Sequence, residues 1–384
     1  MLETRFLGKT WFLAHLSGRA LGHLSSVTGQ TMEPRSPLLS VRNLKTYFKL
    51  DEGTVKAVDG VSFEVYPGQV VGIVGESGCG KSVTIKSILR IVEQPGEIVE
   101  GEILFRSQQS NGRKGDGAGN SPIDLAQLNP HGRQMRTIRG GEIALIPQEP
   151  MAAFSPVHTV GNQIIEAILL HNNVSKQEAR RIAIDRLHEV GVPSPEQRLS
   201  AYSWELSGGL RQRAMIAMAL SANPRLLIAD EPTTAIDVTT QAQVLNLLRG
   251  LQQHHDMAII FITHDLGVIA QIADYVIVMY LGRVMETGPV DTIYHNPQHP
   301  YTRALLKSIP SVQSESQTLL PTIEGSIPHP FNRPPGCPFH PRCVEFMPET
   351  CNRRVPILQP VNDQQSASCF LYHEVAEEDD LLKV

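Results

Sequence analysis

The sequence is poor in the features that settle a protein's class at a glance. It has 384 residues but only five cysteines and two tryptophans, and aromatic residues make up 5%. Five cysteines in so long a chain do not make the disulfide scaffold of a small secreted domain. Long apolar runs are missing too. The best candidates, Met257–Ile262 and Val276–Leu281, are strand-length, far below the roughly 18–20 residues of a spanning helix. Charge of one sign is also lacking. Lys and Arg total 34 against 39 Asp and Glu, for a net charge of −5. Glu374, Glu377, Glu378, Asp379 and Asp380, offset by Lys383, place −4 of it in the last eleven residues. The body is therefore near neutral and offers no basic footprint for nucleic acid. No internal repeat is visible, so the core is present once.

What is present is enough to build a core. Hydrophobic residues are 41% and charged residues 19%, which excludes wholesale disorder. The length allows two or three domains at roughly 100–200 residues each. Three seams divide it. Residues 1–35 carry Arg5, Lys9 and Arg19 among scattered apolar residues. They lack the long apolar segment of a targeting peptide, so a poorly ordered extension is expected, with Met32 an alternative start. Residues 107–121 are rich in Gly, Ser and Asn and read as a surface loop. Residues 310–335 are dominated by Pro, Ser and Gln and read as a linker or extended wrap.

Between the seams, strand and helix signals alternate. Gln69–Val74, Leu226–Ala229 and Ala258–Ile262 are short apolar runs of the kind buried on both sheet faces. Helical patterns follow at Lys81–Ile91, Thr239–Leu251 and Leu266–Ile272. This alternation predicts an α/β fold with a mostly parallel sheet. Gly161–His171 and Lys176–Val190 add helices with no strand between them, which predicts a separate helical lobe.

The first run is followed by Gly75-Glu-Ser77-Gly78-Cys79-Gly80-Lys81-Ser82, which fits the P-loop spacing G-x-x-x-x-G-K-[ST]. Its glycines let backbone N–H groups turn inward around phosphate oxygens, and the next helix adds its positive end. Lys81 is placed to neutralise the outer phosphates and Ser82 to bind Mg²⁺. Cys79 reads as a small residue in a serine-like position. Leu226-Leu-Ile-Ala-Asp230-Glu231 ends an apolar strand in two carboxylates, Asp230 for the Mg²⁺ shell and Glu231 for the attacking water. Leu206-Ser207-Gly208-Gly209-Leu210-Arg211-Gln212-Arg213 presents N–H groups at another helix start.

Together these motifs resemble the Walker A, Walker B and signature motifs of ATP-binding cassette (ABC) transporter ATPases, in that family's order. The resemblance spans residues 38–288. It implies a P-loop cassette with a RecA-like core sheet, an antiparallel β subdomain and an α-helical subdomain at about 159–204. The implied site residues are Gln148 of the Q-loop (contacting Mg²⁺), His264 as the switch histidine, Asp237 of the D-loop and Val83 closing the P-loop. Phe48 matches the aromatic that stacks on adenine, with Tyr47 open as its replacement. The family works as a head-to-tail pair with two ATP molecules between cassettes, so Ser207 and Gly209 would cap the partner's ATP.

A narrower resemblance follows. His299-Pro300-Tyr301-Thr302-Arg303-Ala304-Leu305-Leu306 is similar to a signature of oligopeptide/dipeptide (and nickel) importer ATPases, and Gly80–Val83 looks like their D-type member. This implies an F-type ATPase partner, two permease subunits and an extracytoplasmic solute-binding protein, with the chain peripheral on the cytoplasmic face of the membrane. Residues 36–288 would be the cassette and 289–384 an irregular C-terminal extension. Ala153-Phe154-Ser155-Pro156 departs from the usual Ser-Leu-Asn-Pro where a permease is expected to touch. Peptide is the expected cargo, with nickel or another solute the alternative. A non-transport cassette protein and a redox sensor are the competing classes.

Cys337, Cys343, Cys351 and Cys369 have spacing C-x5-C-x7-C-x17-C, which lacks the CxxC pair of a zinc ribbon. Gly336-Cys-Pro-Phe-His-Pro-Arg-Cys343 resembles the tail of that importer subfamily, some of whose members hold a [4Fe–4S] cluster there. Four thiolates suit such a cluster, or zinc less well; unpaired buried cysteines are the plain alternative.

Overall fold

The computed structural model describes residues 36–108, 121–149, 153–234, 237–309 and 323–373. The terminal extension before Ser36, most of the 107–121 loop and the first half of the 310–335 seam lie outside them. A division falls between Ser36 and Pro37, and the elements below all belong to the unit that begins at Pro37.

Two sheets organise that unit. The smaller joins β1 (Leu39–Leu50), β2 (Gly53–Val65), β4 (Gly96–Phe105) and β5 (Ile123–Asp124) in the antiparallel order β2-β1-β4-β5. The larger has eight strands among the described residues, in the order β11-β12-β10-β9-β3-β8-β7-β6. They are β3 (Val70–Val74), β6 (Ile143–Ile146), β7 (Leu226–Asp230), β8 (Ala258–Thr263), β9 (Tyr275–Tyr280), β10 (Arg283–Pro289), β11 (Gln359–Pro360) and β12 (Ser366–Ala367). Its centre, from β6 to β9, is parallel. Every residue of β3, β7 and β8 is buried, which is why these strands read as continuous apolar runs and not as alternating ones.

The period-two pleat splits each strand between two cores. Val71 and Ile73 of β3, with Ile260 and Ile262 of β8, pack toward Leu39, Val41 and Val61 of the small sheet. Val70 and Val74, with Ile259 and Phe261, pack toward the helices on the other face. In chain order the helices are α1 (Lys81–Ile88), α2 (Arg133–Gly141), α3 (Val160–His171), α4 (Lys176–Glu189), α5 (Pro195–Arg198), α6 (Gly208–Ala219), α7 (Val238–His255), α8 (Leu266–Ile272), α9 (Val290–His295) and α10 (Pro300–Lys307). Their starts are chemically marked. Thr159, Ser175, Ser207, Asp237 and Asp265 each accept an N–H of the helix they precede, satisfying donors that the first turn leaves unpaired. α1 stops three residues short of the expected Ile91 because Arg90 takes a left-handed φ of 56°, which a helix cannot continue through.

The C-terminal region is built into this body. β12 pairs with β10, extending the main sheet. Tyr301, Cys337, Phe339 and Cys351 belong to the same buried core as the helical face.

Candidate nucleotide site

The parallel register sets four loops side by side. Val74 pairs with Thr263, Ile262 with Asp230, and Ala229 with Ile146. The P-loop, His264, Glu231 and Gln148 therefore leave adjacent strands at one carboxyl edge, where open α/β sheets bind ligands.

The P-loop runs from β3 into α1. Gly80 caps α1 with φ 101°, and a Cβ there would sit 2.2 Å from the Ala57 carbonyl, so only glycine fits. Lys81 is buried and donates from Nζ to the carbonyls of Gly75 at 2.8 Å and Glu76 at 3.1 Å. This holds the ammonium inside the loop's curve. Gly75 and Cys79 are buried and Ser77 and Gly78 exposed. Burial pushes the Cys79 thiol up despite the nearby Lys81 charge, so it is a small neutral filler, not a thiolate. Val83 packs against the core between the sheets.

Ser82 Oγ donates to Asp230 Oδ1 at 3.2 Å, joining α1 to the end of β7. Burial pushes the Asp230 carboxyl up from its ordinary range; the Ser82 hydrogen bond works against this, and the Glu231 charge adds to it. A hydroxyl and a carboxylate in contact, both oxygen donors, fit a hard cation such as Mg²⁺. The Glu231 side chain is held from three sides. Its Oε2 accepts from Gln148 Nε2 at 3.1 Å and from Thr234 Oγ1 at 3.1 Å, while Oε1 lies 3.3 Å from His264 Nδ1. Its φ of 45° is uncommon for a non-glycine residue. The backbone is thus turned so that both carboxylate oxygens meet the loops beside β7.

The remaining expected residues are more scattered. Tyr47 donates its hydroxyl to Asp59 at 2.7 Å, and Lys56 lies over its ring. Phe48 stays half-buried, packed on Gly96. Ser207 is exposed at the start of α6, its Oγ accepting from Leu210 N. A Cβ on Gly208 would meet nothing, and one on Gly209 only Thr240. Asp237 caps α7 through Thr240.

The tail cysteines form no disulfide. Cys337 N–H donates to the Cys351 carbonyl at 2.8 Å. Burial pushes Cys337 up to about 12 and Cys369 up to about 11, and Cys343 up as well. Neighbouring cysteines add to each of these shifts. Among the described residues, the sole trio of ligand atoms within 4.8 Å of one another is Glu189, His254 and His255.

Several partners of the site carried no motif of their own. Arg342 makes a bidentate pair with Glu76 of the P-loop, and Tyr301 Oη accepts the Glu76 N–H at 3.1 Å. Asp59 takes Arg283 and Arg333 as well as Tyr47. Tyr301 lay within the His-Pro-Tyr-Thr signature, Glu76 within the P-loop and Arg342 within the cysteine segment, but nothing in the sequence paired them; Asp59 gave no signal beyond its charge.

Known proteins bear the same features. The ABC transporter family profile matches residues 58–234, and that of the oligopeptide/dipeptide transporter C-terminal region matches residues 285–351. A probable peptide ABC transporter ATP-binding protein of Sinorhizobium fredii is 46% identical over 339 residues, 88% of this chain and 96% of its own. The dipeptide transport ATP-binding protein DppD of Bacillus subtilis is 45% identical over 341 residues, 88% of this chain and 96% of its own. The solved ATP-binding cassette MJ0796, dimeric in a post-hydrolysis state with ADP and Pi, shares the fold. Its TM-score is 0.55 at 24% identity, over 66% of this chain and 98% of that one. With relatives this similar along nearly their whole length, the chain belongs to the ABC transporter family, as an ATPase of its oligopeptide/dipeptide branch.

Proposed function

We propose that this ATPase is the motor subunit of an importer, coupling ATP binding and hydrolysis to uptake of di- and oligopeptides across the cytoplasmic membrane. One observation carries the reading: a four-loop nucleotide edge and a C-terminal region of oligopeptide/dipeptide transporter type lie in one chain. Relatives named for peptide transport support it.

In this reading the N–H groups of Gly78–Val83 and the Lys81 ammonium take the phosphates of ATP. Ser82, Asp230 and Gln148 would hold Mg²⁺, which when bound would neutralise charge on the phosphoryl oxygens. Glu231 orients and deprotonates the attacking water. His264 and Gln148 hold Glu231 and sense the outer phosphate, and Phe48 stacks on adenine with Tyr47 beside it.

Ser207 and Gly209 cap the ATP of a second cassette, an F-type ATPase packed head to tail, with Asp237 at the same seam. The exposure of Ser207 and of Val238, 82% exposed at the start of α7, supports an unmet partner surface. The Trp204 ring, stacked on Tyr202, adds to it. Two permease subunits would meet the helical lobe, where Val157 and Leu170 are each 73% exposed. An extracytoplasmic binding protein delivers the solute. Among the described residues no helix is long and apolar enough to cross a membrane, and a peripheral position on the cytoplasmic face follows from the permease contact.

The four cysteines hold a [4Fe–4S] cluster that staples the tail. Their number and the softness of thiolate ligands support this. Anaerobically purified protein should be brown and contain about four iron atoms per chain; colourless protein with neither iron nor zinc ends this part of the reading. For transport, the chain is reconstituted in liposomes with its permeases and a second ATPase. A peptide-loaded binding protein should stimulate ATP hydrolysis severalfold. Stimulation by a nickel-loaded binding protein alone would reassign the cargo, and insensitivity to any binding protein would favour a non-transport cassette.

A further inference from the structure

Glu76 is an anomaly on electrostatic grounds. It is the second residue of a loop shaped to receive polyphosphate, and its carboxylate carries the same sign as the ligand. Two residues of the C-terminal region manage it. Arg342 Nη1 and Nη2 donate to the two Glu76 oxygens at 2.7 and 3.1 Å, a bidentate pair spanning 266 residues of chain. Tyr301 Oη accepts the Glu76 backbone N–H.

The mount for these groups is rigid. The Arg342 side chain is only 4% exposed, and it is engaged beyond Glu76 as well. Nε donates to the Glu324 carbonyl, and Nη1 also reaches Tyr280 Oη at 3.3 Å. The guanidinium lies over the Tyr280 ring, 5.8 Å from its centroid. Tyr280, Tyr301 and Phe339 pack as an aromatic trio with centroids 4.8–5.4 Å apart. Phe339 and Arg342 both lie between Cys337 and Cys343, so the cysteine loop is the platform that carries the clamp.

We propose that Arg342 and Tyr301 are positioning residues of the nucleotide site: Arg342 masks the Glu76 charge and turns it away from the phosphate cradle, while Tyr301 fixes the loop's backbone there. The inference rests on the ATPase reading of the P-loop. In it, the C-terminal region is a working wall of the ATP site. The arrangement also accounts for the chemistry of the His-Pro-Tyr-Thr segment, since its tyrosine is the one that reaches the loop.

The test uses the full chain and ATP. Arg342→Met keeps the apolar stem and removes the charge, leaving Glu76 bare. It should weaken ATP binding by about tenfold, the scale of one lost partly buried charge pair. The loss should appear in Kd and in KM for ATP, with kcat changed less than twofold. Adding Glu76→Gln to Arg342→Met removes the exposed charge and should restore affinity to within about twofold of the unaltered chain. A merely structural arginine predicts the opposite, a double variant as weak as the single one or weaker. Unchanged affinity in Arg342→Met, or failure of Glu76→Gln to rescue it, overturns the proposal. Should Arg342→Met not fold, Tyr301→Phe carries the test. Loss of its hydroxyl should weaken ATP binding a few-fold, and affinity equal to the unaltered chain overturns the proposal. If the unaltered chain binds no ATP, the ATPase reading itself falls and the inference with it, an outcome distinct from variants that merely match a binding-competent parent.

Discussion

Glu231 and His264 meet at 3.3 Å, Oε1 to Nδ1, at the ends of neighbouring strands. In the proposed reading, this carboxylate and imidazole would flank the water that attacks the outer phosphate. Glu231→Gln keeps the shape and the contacts to Gln148 and Thr234 but removes the base. Hydrolysis should fall by at least ~10²-fold, the scale of a lost general base, while ATP affinity stays within twofold. Phosphate release and equilibrium ATP binding measured on the same preparation check this. Turnover that survives the substitution would mean that another group activates water.

The Ser82–Asp230 contact makes a separate prediction about the metal. If Mg²⁺ is held as proposed, Ser82→Ala would remove one oxygen ligand and Asp230→Asn the charge that attracts the cation. Each should raise the Mg²⁺ concentration for half-maximal ATPase activity by about tenfold or more, as loss of a direct ligand does. The check is a Mg²⁺ titration at saturating ATP. An unchanged titration midpoint in Asp230→Asn would move the metal elsewhere.

The parallel strands were legible in the sequence because burial on both faces leaves a plain signal, the P-loop and the Asp230-Glu231 pair because of their spacing, and Gln148 and His264 only through the family resemblance. Gln69–Val74, Leu226–Ala229 and Ala258–Ile262 read as short apolar runs, the first followed by the P-loop spacing and the second by two carboxylates. What the sequence hid depends on single long-range contacts. Arg342 sits between two prolines' worth of irregular chain and a cysteine, and nothing in that stretch points to Glu76. β11 and β12, two residues each, are too short for any alternation to show. Arg90 ends α1 by a backbone choice that its side chain does not announce.

Asp59 links the small sheet to the C-terminal region and should make stability depend on pH. Its carboxylate receives the Tyr47 hydroxyl, Arg283 from β10 and Arg333 from beyond the 310–322 segment. Burial alone would raise its pKa, but Arg283, the Tyr47 hydrogen bond and Arg333 together hold it below the usual carboxylate range. A folded pKa depressed below the unfolded one gives stability that is present above the unfolded value, about 4, and lost as pH falls through the folded one. Denaturation between pH 6 and 3 should therefore show an acid-side loss that Asp59→Asn removes. At neutral pH the same substitution leaves two arginines without their anion and should cost roughly 3–5 kcal/mol. An Asp59→Asn protein as stable as the parent at pH 7 would show the cluster to be inert.

Glu286 tests how the signature segment is held. It is wholly buried in β10. Its carboxylate accepts the backbone N–H groups of Gln298 and His299 at 2.7 and 2.9 Å, and Gln365 Nε2 at 3.3 Å. One side chain thus joins the main sheet, the start of α10 and the turn before β12. Burial pushes its carboxyl up, opposed by the Thr302 side chain and by the Gln298 and His299 N–H groups. Glu286→Ala leaves the buried His299 N–H and the half-buried Gln298 N–H unpaired, and at about 1–3 kcal/mol for a fully buried group the expected loss is a few kcal/mol. Glu286→Gln keeps one carbonyl acceptor and should lose less. Because α10 carries Tyr301, the alanine variant should also weaken ATP binding and expose the chain after Pro289 to protease before the cassette strands are cut. Urea denaturation and limited proteolysis with and without ATP read both effects. Uniform proteolysis of cassette and tail would mean that Glu286 anchors the fold as a whole and not the signature helix in particular.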